Sequence, residues 1–207
     1  MLERAARLVP EPFAMLDQPS RIIVRHSTEV DVPAMVDIYA YHVQNGLGDY
    51  QPEPLRDDDL KRRRKAMLKR RLPHIVAELG GAVVGYAYAV PFLKRPAYRY
   101  AVKHSIYVHK DHLNAGVGRM LLPVLIEACA AAGFRQMICY VDSANGPSLR
   151  LHESTGFERM GVLKSVGFKF GHWTDTVLLQ RPLGDGGASP PAALDDPRDD
   201  APPAAGK

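Results

Sequence analysis

Residues 106–120 read IYVHKDHLNAGVGRM and connect a predicted strand to a predicted helix through a glycine-bearing loop. Gly116 and Gly118 stand at the junction, where glycine lets the backbone turn tightly and leaves successive N–H groups pointing outward beside a helix N-terminus. Arg119 adds a positive charge in the first turn of that helix. This combination is typical of an anion site, and the pyrophosphate of a nucleotide has the right charge to occupy it.

Three interpretations of this loop compete when it is taken by itself. A Walker phosphate loop requires Gly-Lys-Ser/Thr at the helix start, but Gly118 is followed by Arg119 and Met120. A dinucleotide fingerprint requires a third glycine, where this chain has Leu121. The third interpretation is a plain strand–helix connection without a ligand, and the loop alone does not exclude it.

The hydrophobic patterns on both sides of the loop predict a mixed α/β fold. A period of two predicts a strand over residues 101–108, and helical spacing predicts a helix over residues 117–132. Gly80 and Gly81 lie between two apolar runs and predict a hairpin, while the Gly-rich segment 167–173 predicts the turn of a last one. The order β-α-α-β-β-β-α-β-α-β-β mixes hairpins with crossover helices. We therefore expect one domain, an α/β (α+β mixed sheet) architecture with helices on both faces of a central sheet.

Composition and charge indicate an ordinary globular chain with two appended ends. Of its 207 residues, 24% are charged and 46% hydrophobic. We assign residues 1–20 to an N-terminal extension, 21–183 to the domain, and 184–207, rich in Pro, Ala and Gly, to a disordered tail. The tail holds 5 Asp against two basic residues, so the remainder carries 25 basic and 18 acidic side chains, a net +7. A folded part with this charge attracts anions.

Several classes of protein are excluded by what the chain lacks. Cys129 and Cys139 are its only cysteines, too few for a disulfide framework, and no Cys/His spacing along the chain predicts a zinc site. No apolar run approaches the ~18 residues of a membrane span, and prolines and acidic residues interrupt the N-terminus where a signal peptide would be apolar. We expect a cytoplasmic protein with no metal and no membrane partner.

A basic segment leaves a nucleic-acid interpretation open. Residues 61–71, KRRRKAMLKRR, hold 8 basic residues in 11. An acidic run at residues 57–59 balances them locally, and no aromatic side chains are interleaved among them. We favour a solvated helix face over a nucleic-acid site for this reason.

The glycine loop and the segments on both sides of it carry a family resemblance. Its landmarks include, in chain order, Arg95-Pro96-x-Tyr98-Arg99, Ser105-x-Tyr107-Val108, Gly116-x-Gly118, Asn145-x-x-Ser148-x-x-x-His152-x-x-x-Gly156-Phe157 and Lys169-Phe170-Gly171-x-Trp173. In this order, over residues 23–182, they resemble the GNAT superfamily of N-acetyltransferases, and more narrowly the branch that acetylates phosphinothricin and methionine sulfoximine. The resemblance implies the GNAT fold, acetyl-CoA as donor, and direct transfer to the primary amine of a small molecule such as an amino acid. Relatives commonly form dimers, and the C-terminal strands would be a natural interface.

The resemblance also implies which residues bind acetyl-CoA. Backbone groups on the strand would pair with the pantetheine arm, main-chain amides of the loop would hold the pyrophosphate, and an asparagine would contact the cofactor. These residues are Ile106, Tyr107, Val108, Asn114, Ala115, Gly116, Val117, Gly118, Arg119 and Asn145. A backbone N–H near Tyr107 would polarise the thioester carbonyl, which adds Tyr107 to the catalytic set. Leu113 replaces the usual Gln or Arg, so we expect weaker cofactor binding.

Two further catalytic positions depart from the superfamily. His152 stands where many members have a tyrosine that protonates the departing thiolate, and a histidine suits general acid or base work. Lys103 stands where this branch usually has a glutamate that takes the substrate proton. Lys103 could be a base of depressed pKa or an anchor for a substrate carboxylate, or the chain could keep the fold without the family's activity. We favour the anchor, with His152, His104 or water taking the proton.

The resemblance places an acceptor pocket around Lys103. Asp49 and Tyr50 lie in a loop that lines this pocket in the family, and an Asp49 facing Lys103 would swap the usual charge pair. Lys94 and Arg95 could clamp a carboxylate or form a solvated rim. The predicted acceptor-binding residues are Asp49, Tyr50, Lys94, Arg95, Lys103, His104 and Ser105. A catalytically silent acetyl-CoA-binding protein, or one with a protein or polyamine acceptor, is the alternative function.

Overall fold

The computed structural model describes residues 21–46 and 53–192, which form one seven-stranded mixed sheet with helices on both faces. The strands are β1 (Ile23–His26), β2 (His74–Leu79), β3 (Ala82–Pro91), β4 (Ala101–Val108), β5 (Gln136–Asp142), β6 (Glu158–Lys169) and β7 (His172–Pro182). The helices are α1 (Val32–Asn45), α2 (Asp57–Lys69), α3 (Val117–Ala131) and α4 (Gly146–Ser154). The predicted fold class and element order are confirmed.

The strand order β1-β2-β3-β4-β5-β7-β6 places a single parallel contact in the middle of the sheet. Only β4 and β5 run parallel, and every other recorded pair is antiparallel. A parallel pair needs a crossover, and α3 supplies it between these two strands. The sheet is therefore two antiparallel halves joined along one short seam.

The two faces of the sheet have separate hydrophobic cores. On one face α1 buries Val32, Met35, Ile38 and Tyr39 against β2 and β3. On the other face α3 buries an apolar stripe at helical spacing: Val117, Leu121, Leu122, Leu125, Ile126 and Cys129. Gly85 of β3 permits this second contact, because a Cβ there would lie 2.8 Å from Val117 Cγ1. The helices cover both faces of the sheet. The sheet can therefore open only along the short seam between β4 and β5.

The entry to α1 is fixed by one buried carboxylate. Asp31 accepts two hydrogen bonds from the Arg25 guanidinium, each 2.8 Å, and one from the Thr28 backbone N–H at 2.6 Å. These bonds favour the charged form and lower the pKa of Asp31 to about 2. Pro33 follows in the first turn of the helix, where its missing N–H costs little.

The basic helix α2 has one buried side and one exposed side. Its apolar side buries Leu60 and Met67, and its one buried arginine, Arg64, donates to the hydroxyl and carbonyl of Ser27. Arg62 pairs with Asp59 on the same helix. The remaining basic side chains of this helix are exposed, as the solvated-face interpretation expects. No helix among the described residues combines the length and the apolar character needed to cross a membrane.

The C-terminal part of the domain differs in two details from the sequence expectation. The last hairpin turns over Phe170 and Gly171 alone, both with positive φ, so β6 and β7 remain paired up to Lys169 and His172. The segment after Leu183, assigned to the tail, begins with turns. There Arg135 donates to the carbonyls of Gly186 and Ser189. Packed structure thus continues past residue 183, because the partly buried Arg135 finds its acceptors there.

Candidate active site

The seam between β4 and β5 opens into a cleft. Within the described residues the two strands pair at Ala101, Val102 and Lys103 only, although β4 continues to Val108 and β5 to Asp142. Past this point β4 stays paired with β3 on its other side. The cleft that results measures about 750 Å³ and is lined by residues of β4, β5, α4, the start of α3 and the end of α1. A split in a parallel pair therefore forms the site.

The loop that leads into α3 gives the cleft its anion-binding character. Asn114 and Gly116 both adopt positive φ, and Gly116 is the N-terminal cap of α3. A Cβ at Gly116 would meet no atom within 4 Å, so its backbone conformation, and not space, demands glycine. A Cβ at Gly118 would lie 2.9 Å from Leu151 Cδ2, so this glycine permits α3 to approach α4. The first-turn amides of α3 have no acidic neighbour in that turn and suit a phosphate.

Most of the predicted cofactor-binding residues line this cleft. They are Ile106, Tyr107, Val108, Asn114, Gly116, Val117, Gly118, Arg119 and Asn145. Ala115 does not line it. The carbonyl of Val108 accepts a hydrogen bond from His42 Nε2 at 2.8 Å, and the Asn145 side chain caps α4 by accepting from Ser148 N–H. Both groups thus have a structural role in addition to their place in the cleft.

A buried histidine pair forms one wall of the cleft. His152 of α4 and His104 of β4 place their Nε2 atoms 2.9 Å apart. His152 Nδ1 lies 2.7 Å from the Ser148 carbonyl, which can only accept, so this nitrogen carries the hydrogen. His152 Nε2 must then accept from His104 Nε2–H, and the neutral tautomers of both rings are fixed. His104 Nδ1 is left buried without a hydrogen-bond partner.

The pair is neutral at ordinary pH. Burial is the main cause that lowers the pKa of His104 from 6.5 to about 3, and the neighbouring His152 lowers it further. Burial also lowers the pKa of His152, against an opposing hydrogen bond to the Ser148 backbone. Because its Nδ1–H is occupied by a carbonyl, His152 can offer the cleft a lone pair and no proton. This geometry fits a proton acceptor better than the general acid that the tyrosine comparison suggested.

Cys139 of β5 completes this wall, and the sequence motifs did not identify it. Its Sγ lies within 4.8 Å of ligating nitrogens of His104 and His152. All three residues are buried, with exposures of 7% for His104, 3% for Cys139 and 2% for His152. Residues 104, 139 and 152 are too far apart in the chain for any metal-site spacing to reveal them. The register of β4 and β5 is the signal that could have done so.

Lys103 lies on the other face of the sheet. Strand alternation places it with Ser105 and Tyr107, and Tyr107 packs edge-on against Tyr39 of α1 at 5.4 Å. The Lys103 ammonium lies 5.8 Å from the centre of the Tyr140 ring. Ser105 and His104 line the cleft, whereas Lys103 does not. The structure therefore brings His104 to His152 and keeps Lys103 apart from both.

Two further predicted acceptor residues, Lys94 and Arg95, are not at the cleft. Lys94 and Arg95 are exposed in the loop before β4 and do not line it. Asp49 and Tyr50 lie outside the described residues. The end of α1 contributes instead, with Tyr41, His42, Asn45 and Gly46. The sequence motifs did not identify these residues, because no local pattern shows that the helix ends at the site.

Comparison with known proteins decides the family. The sequence profile described as "Acetyltransferase (GNAT) family" matches residues 37–157. The chain belongs to the GNAT acetyltransferase family. The GNAT match spans the seam, the glycine loop and His152, which are the elements that build the cleft.

Individual GNAT proteins extend the match over most of the chain. A phosphinothricin N-acetyltransferase of Alcaligenes faecalis is 46% identical over 81% of this chain and 86% of that protein. An L-methionine sulfoximine/L-methionine sulfone acetyltransferase of Salmonella typhimurium is 33% identical over 82% and 98%. The crystal structure of a phosphinothricin acetyltransferase from Sinorhizobium meliloti in complex with acetyl-CoA superimposes with a TM-score of 0.80, at 39% identity over 83% and 93% of the two chains. The predicted family resemblance is confirmed.

Proposed function

We propose that this chain is an N-acetyltransferase that transfers acetyl from acetyl-CoA to the primary amine of a small molecule, an amino acid or an analogue such as phosphinothricin or methionine sulfoximine. The observation that carries the proposal is the cleft at the β4–β5 split, with a helix N-terminus at one end and a buried, neutral histidine pair in its wall. The names of the similar proteins support the acceptor class, and the complex of the Sinorhizobium relative supports acetyl-CoA.

Acetyl-CoA fits the donor groups that the cleft offers. The first-turn amides of α3 and the Arg119 side chain would hold the pyrophosphate, where the Gly116 conformation leaves room for it. Main-chain groups of β4 beyond Lys103 would pair with the amide-bearing arm in place of β5. An N–H near Tyr107 would then face the thioester oxygen and stabilise negative charge that develops there. The donor supplies the activated acetyl group, and the protein positions it.

His152 is the proposed proton acceptor. An attacking amine must be unprotonated and must lose a second proton once its bond to the acetyl carbon has formed. His152 Nε2 holds a lone pair in the wall of the cleft, and the Nδ1–H bond to Ser148 keeps that lone pair aimed away from the helix. His104 Nε2–H, which occupies the lone pair in this structure, has to turn aside as the proton arrives. His104 is therefore a positioning residue in this proposal.

Lys103 is proposed to anchor an acceptor carboxylate from the α1 side of the sheet. It lies on the face of Ser105 and Tyr107, and Ser105 lines the cleft, so the two faces meet where the strands separate. The Lys103 ammonium would attract the carboxylate of the acceptor, while the amine of the same molecule lies at the wall that holds His152. Asp49 and Tyr50 remain proposed contributors to this pocket.

A panel of acceptors tests the function. The full chain with acetyl-CoA should release thiol with phosphinothricin, methionine sulfoximine or free amino acids, and the rate should saturate with acceptor. Activity on peptides or polyamines alone would mean that these, and not amino acids, are the acceptors. Acetyl-CoA binding without turnover on any acceptor would favour the silent alternative. A salt-sensitive gel shift at physiological ionic strength without turnover would favour the nucleic-acid alternative.

We also propose that a second copy covers the β6–β7 hairpin. This hairpin exposes Met160, Val162, Leu163, Val166, Phe168, Phe170 and Trp173, and Trp173 is 65% exposed. So many large apolar side chains on one hairpin are typical of an interface. Trp173 is thus at the surface against Phe168, 5.1 Å away, and not in the core. Sedimentation should give a dimer, and Trp173→Asp should give a monomer.

The proposed location is the cytoplasm. Cys129 and Cys139 are both free thiols and both buried, which suits a reducing compartment. Fractionation of cells that express the full chain should recover it with cytoplasmic markers.

A further inference from the structure

The β4–β5 split brings three potential metal ligands to one point. Lys103 and Ile138 form the last pair of the parallel ladder, so His104 and Cys139 occupy the next step of each strand. Both side chains lie on the face opposite Lys103 and Ile138, and there α4 adds His152. The ligating atoms His104 Nε2, Cys139 Sγ and His152 Nε2 come from three different elements of the fold.

The histidine rings are already aimed as metal ligands are. A ligating histidine commonly donates its other ring N–H to a carbonyl or carboxylate, and His152 Nδ1–H does so to Ser148. Its Nε2 faces His104 Nε2 across 2.9 Å, so both nitrogens point into the same gap. His104 Nδ1 has no partner, so His104 can move its hydrogen from Nε2 to Nδ1 without breaking a contact there.

The distances are close to those of a tetrahedral centre. Zinc–nitrogen and zinc–sulfur bonds of about 2.0–2.1 and 2.3 Å place two nitrogens about 3.4 Å apart and a nitrogen and a sulfur about 3.6 Å apart. The two Nε2 atoms, 2.9 Å apart, need to separate by about 0.5 Å, and Sγ, within 4.8 Å of the ring nitrogens, needs to approach by at most about 1.2 Å. Rotation of the side chains about χ1 and χ2 supplies shifts of this size.

We propose that His104, Cys139 and His152 form an inhibitory binding site for a divalent ion of the zinc class. Imidazole and thiolate together select zinc-like ions over magnesium or calcium, and three protein ligands leave the fourth position to the cleft. The ion displaces the Cys139 proton to solvent and forms a metal–thiolate bond, and both imidazoles bind in the neutral form. Burial, which raises the pKa of the Cys139 thiol to about 12, keeps this site protonated and unreactive when no metal is present.

Inhibition follows from the ligand set and rests on the proposed function. The ion takes the lone pair of His152 Nε2, which the reaction needs as its proton acceptor. It also fills the wall of the cleft beside the strand split. GNAT chemistry uses no metal, so the ion acts only by occupying these groups.

Cobalt(II) in place of zinc tests the site without any assay of activity. The full chain, stripped with a chelator and free of thiol reductant, should bind one equivalent and show a thiolate-to-cobalt charge-transfer band. Cys139→Ala should abolish the band and weaken zinc binding at least tenfold in competition with a chromophoric chelator. The matched control is Cys129→Ala, which removes a buried thiol of α3 that is not among the ligands and should leave both signals unchanged.

Three outcomes overturn the proposal. The band could persist in Cys139→Ala, it could vanish in Cys129→Ala, or the chain could bind without a band, as it would through the partly exposed His109 and His112. Should Cys139→Ala not fold, His104→Gln in a folded chain serves in its place and should weaken zinc binding by the same factor.

Inhibition is measured separately, by loss of thioester absorbance with no added thiol reagent. One equivalent of zinc should reduce turnover more than tenfold, a chelator should restore it, and Cys139→Ala should resist it. Full turnover with the site occupied would overturn the inhibitory role. Failure of the proposed function would appear as no turnover before any metal is added, with the cobalt signal unaffected.

Discussion

Two groups of buried histidines in this chain have the same electrostatic signature and different surroundings. His74 of β2 is fully buried, stacks against Tyr86 and Tyr88, and has no hydrogen-bond partner for either nitrogen. His104 and His152 are also buried with lowered pKa, but they bond to each other and line the cleft. Burial is the largest cause of the shift at all three. A lowered pKa therefore shows only that a histidine is buried. The histidines of the site are distinguished by their position at the opening between β4 and β5.

The same substitution at both places should separate the two roles most strongly. His152→Phe keeps an aromatic ring against Phe157 but removes the lone pair, so kcat should fall 10²–10⁴-fold. His74→Phe keeps a ring among the tyrosines and should leave kcat unchanged. Steady-state kinetics with acetyl-CoA binding by calorimetry measures this, and binding should stay within threefold for both. Equal losses of kcat at the two positions would remove the distinction.

The comparison also shows which features of the site can be predicted from the sequence and which cannot. Gly116, Gly118 and the period-two strand predicted the strand–loop–helix unit, because local conformation and side-chain alternation are written in neighbouring residues. The family motifs singled out His152, which lies in the wall of the cleft, and its catalytic role stays a prediction. The meeting of His104, Cys139 and His152 depends on where the β4–β5 ladder stops, and a ladder length is set by pairing between distant segments. The placing of Lys103 on the face opposite His104 follows from alternation along β4, which neighbouring residues do reveal.

The burial of His74 in its neutral form should make the folded chain less stable at acid pH. Its pKa falls from 6.5 to about 4 on folding, so the unfolded chain binds the proton first as the pH decreases. Above pH 6.5 His74 is neutral in both states and the folded chain has its full stability. Between pH 6.5 and about 4 only the unfolded chain takes up the proton, so the free energy of unfolding decreases. That loss amounts to about 3 kcal/mol.

His74→Phe should remove this part of the acid sensitivity. Denaturant melts of both chains at pH 7.5 and pH 4.5 measure it, and the difference between them should grow in favour of the variant as the pH falls. His26→Phe on β1 is the control, since His26 is exposed. Parallel pH curves for wild type and His74→Phe would show that the ring is not held neutral.

Lys103 tests whether the opposite face of the split takes part in binding. Lys103→Met should raise KM roughly 10- to 100-fold for acceptors with a carboxylate, because a charge-assisted hydrogen bond contributes about 1.5–3 kcal/mol. KM for the corresponding carboxamides should not change, and that comparison is the internal control. Lys103→Glu should show the same loss. A higher kcat in Lys103→Glu with unchanged KM would instead identify this position as that of the missing base.

The smallest effect is expected at the far end of α1. Lys169 of the β6–β7 hairpin donates to the carbonyls of Val43 and Gly46, at 2.6 and 2.7 Å, and so holds the helix end that lines the cleft. A cation at a helix C-terminus contributes about 0.3–1 kcal/mol, so Lys169→Met should raise the acceptor KM about two- to fivefold with kcat intact. Lys164→Met, which breaks a bond to Asp175 on the same hairpin, should change neither constant. Because Lys169 donates to backbone carbonyls at the end of α1, an effect on kcat as large as that of His152→Phe would mean that the hairpin shapes the proton-accepting wall itself.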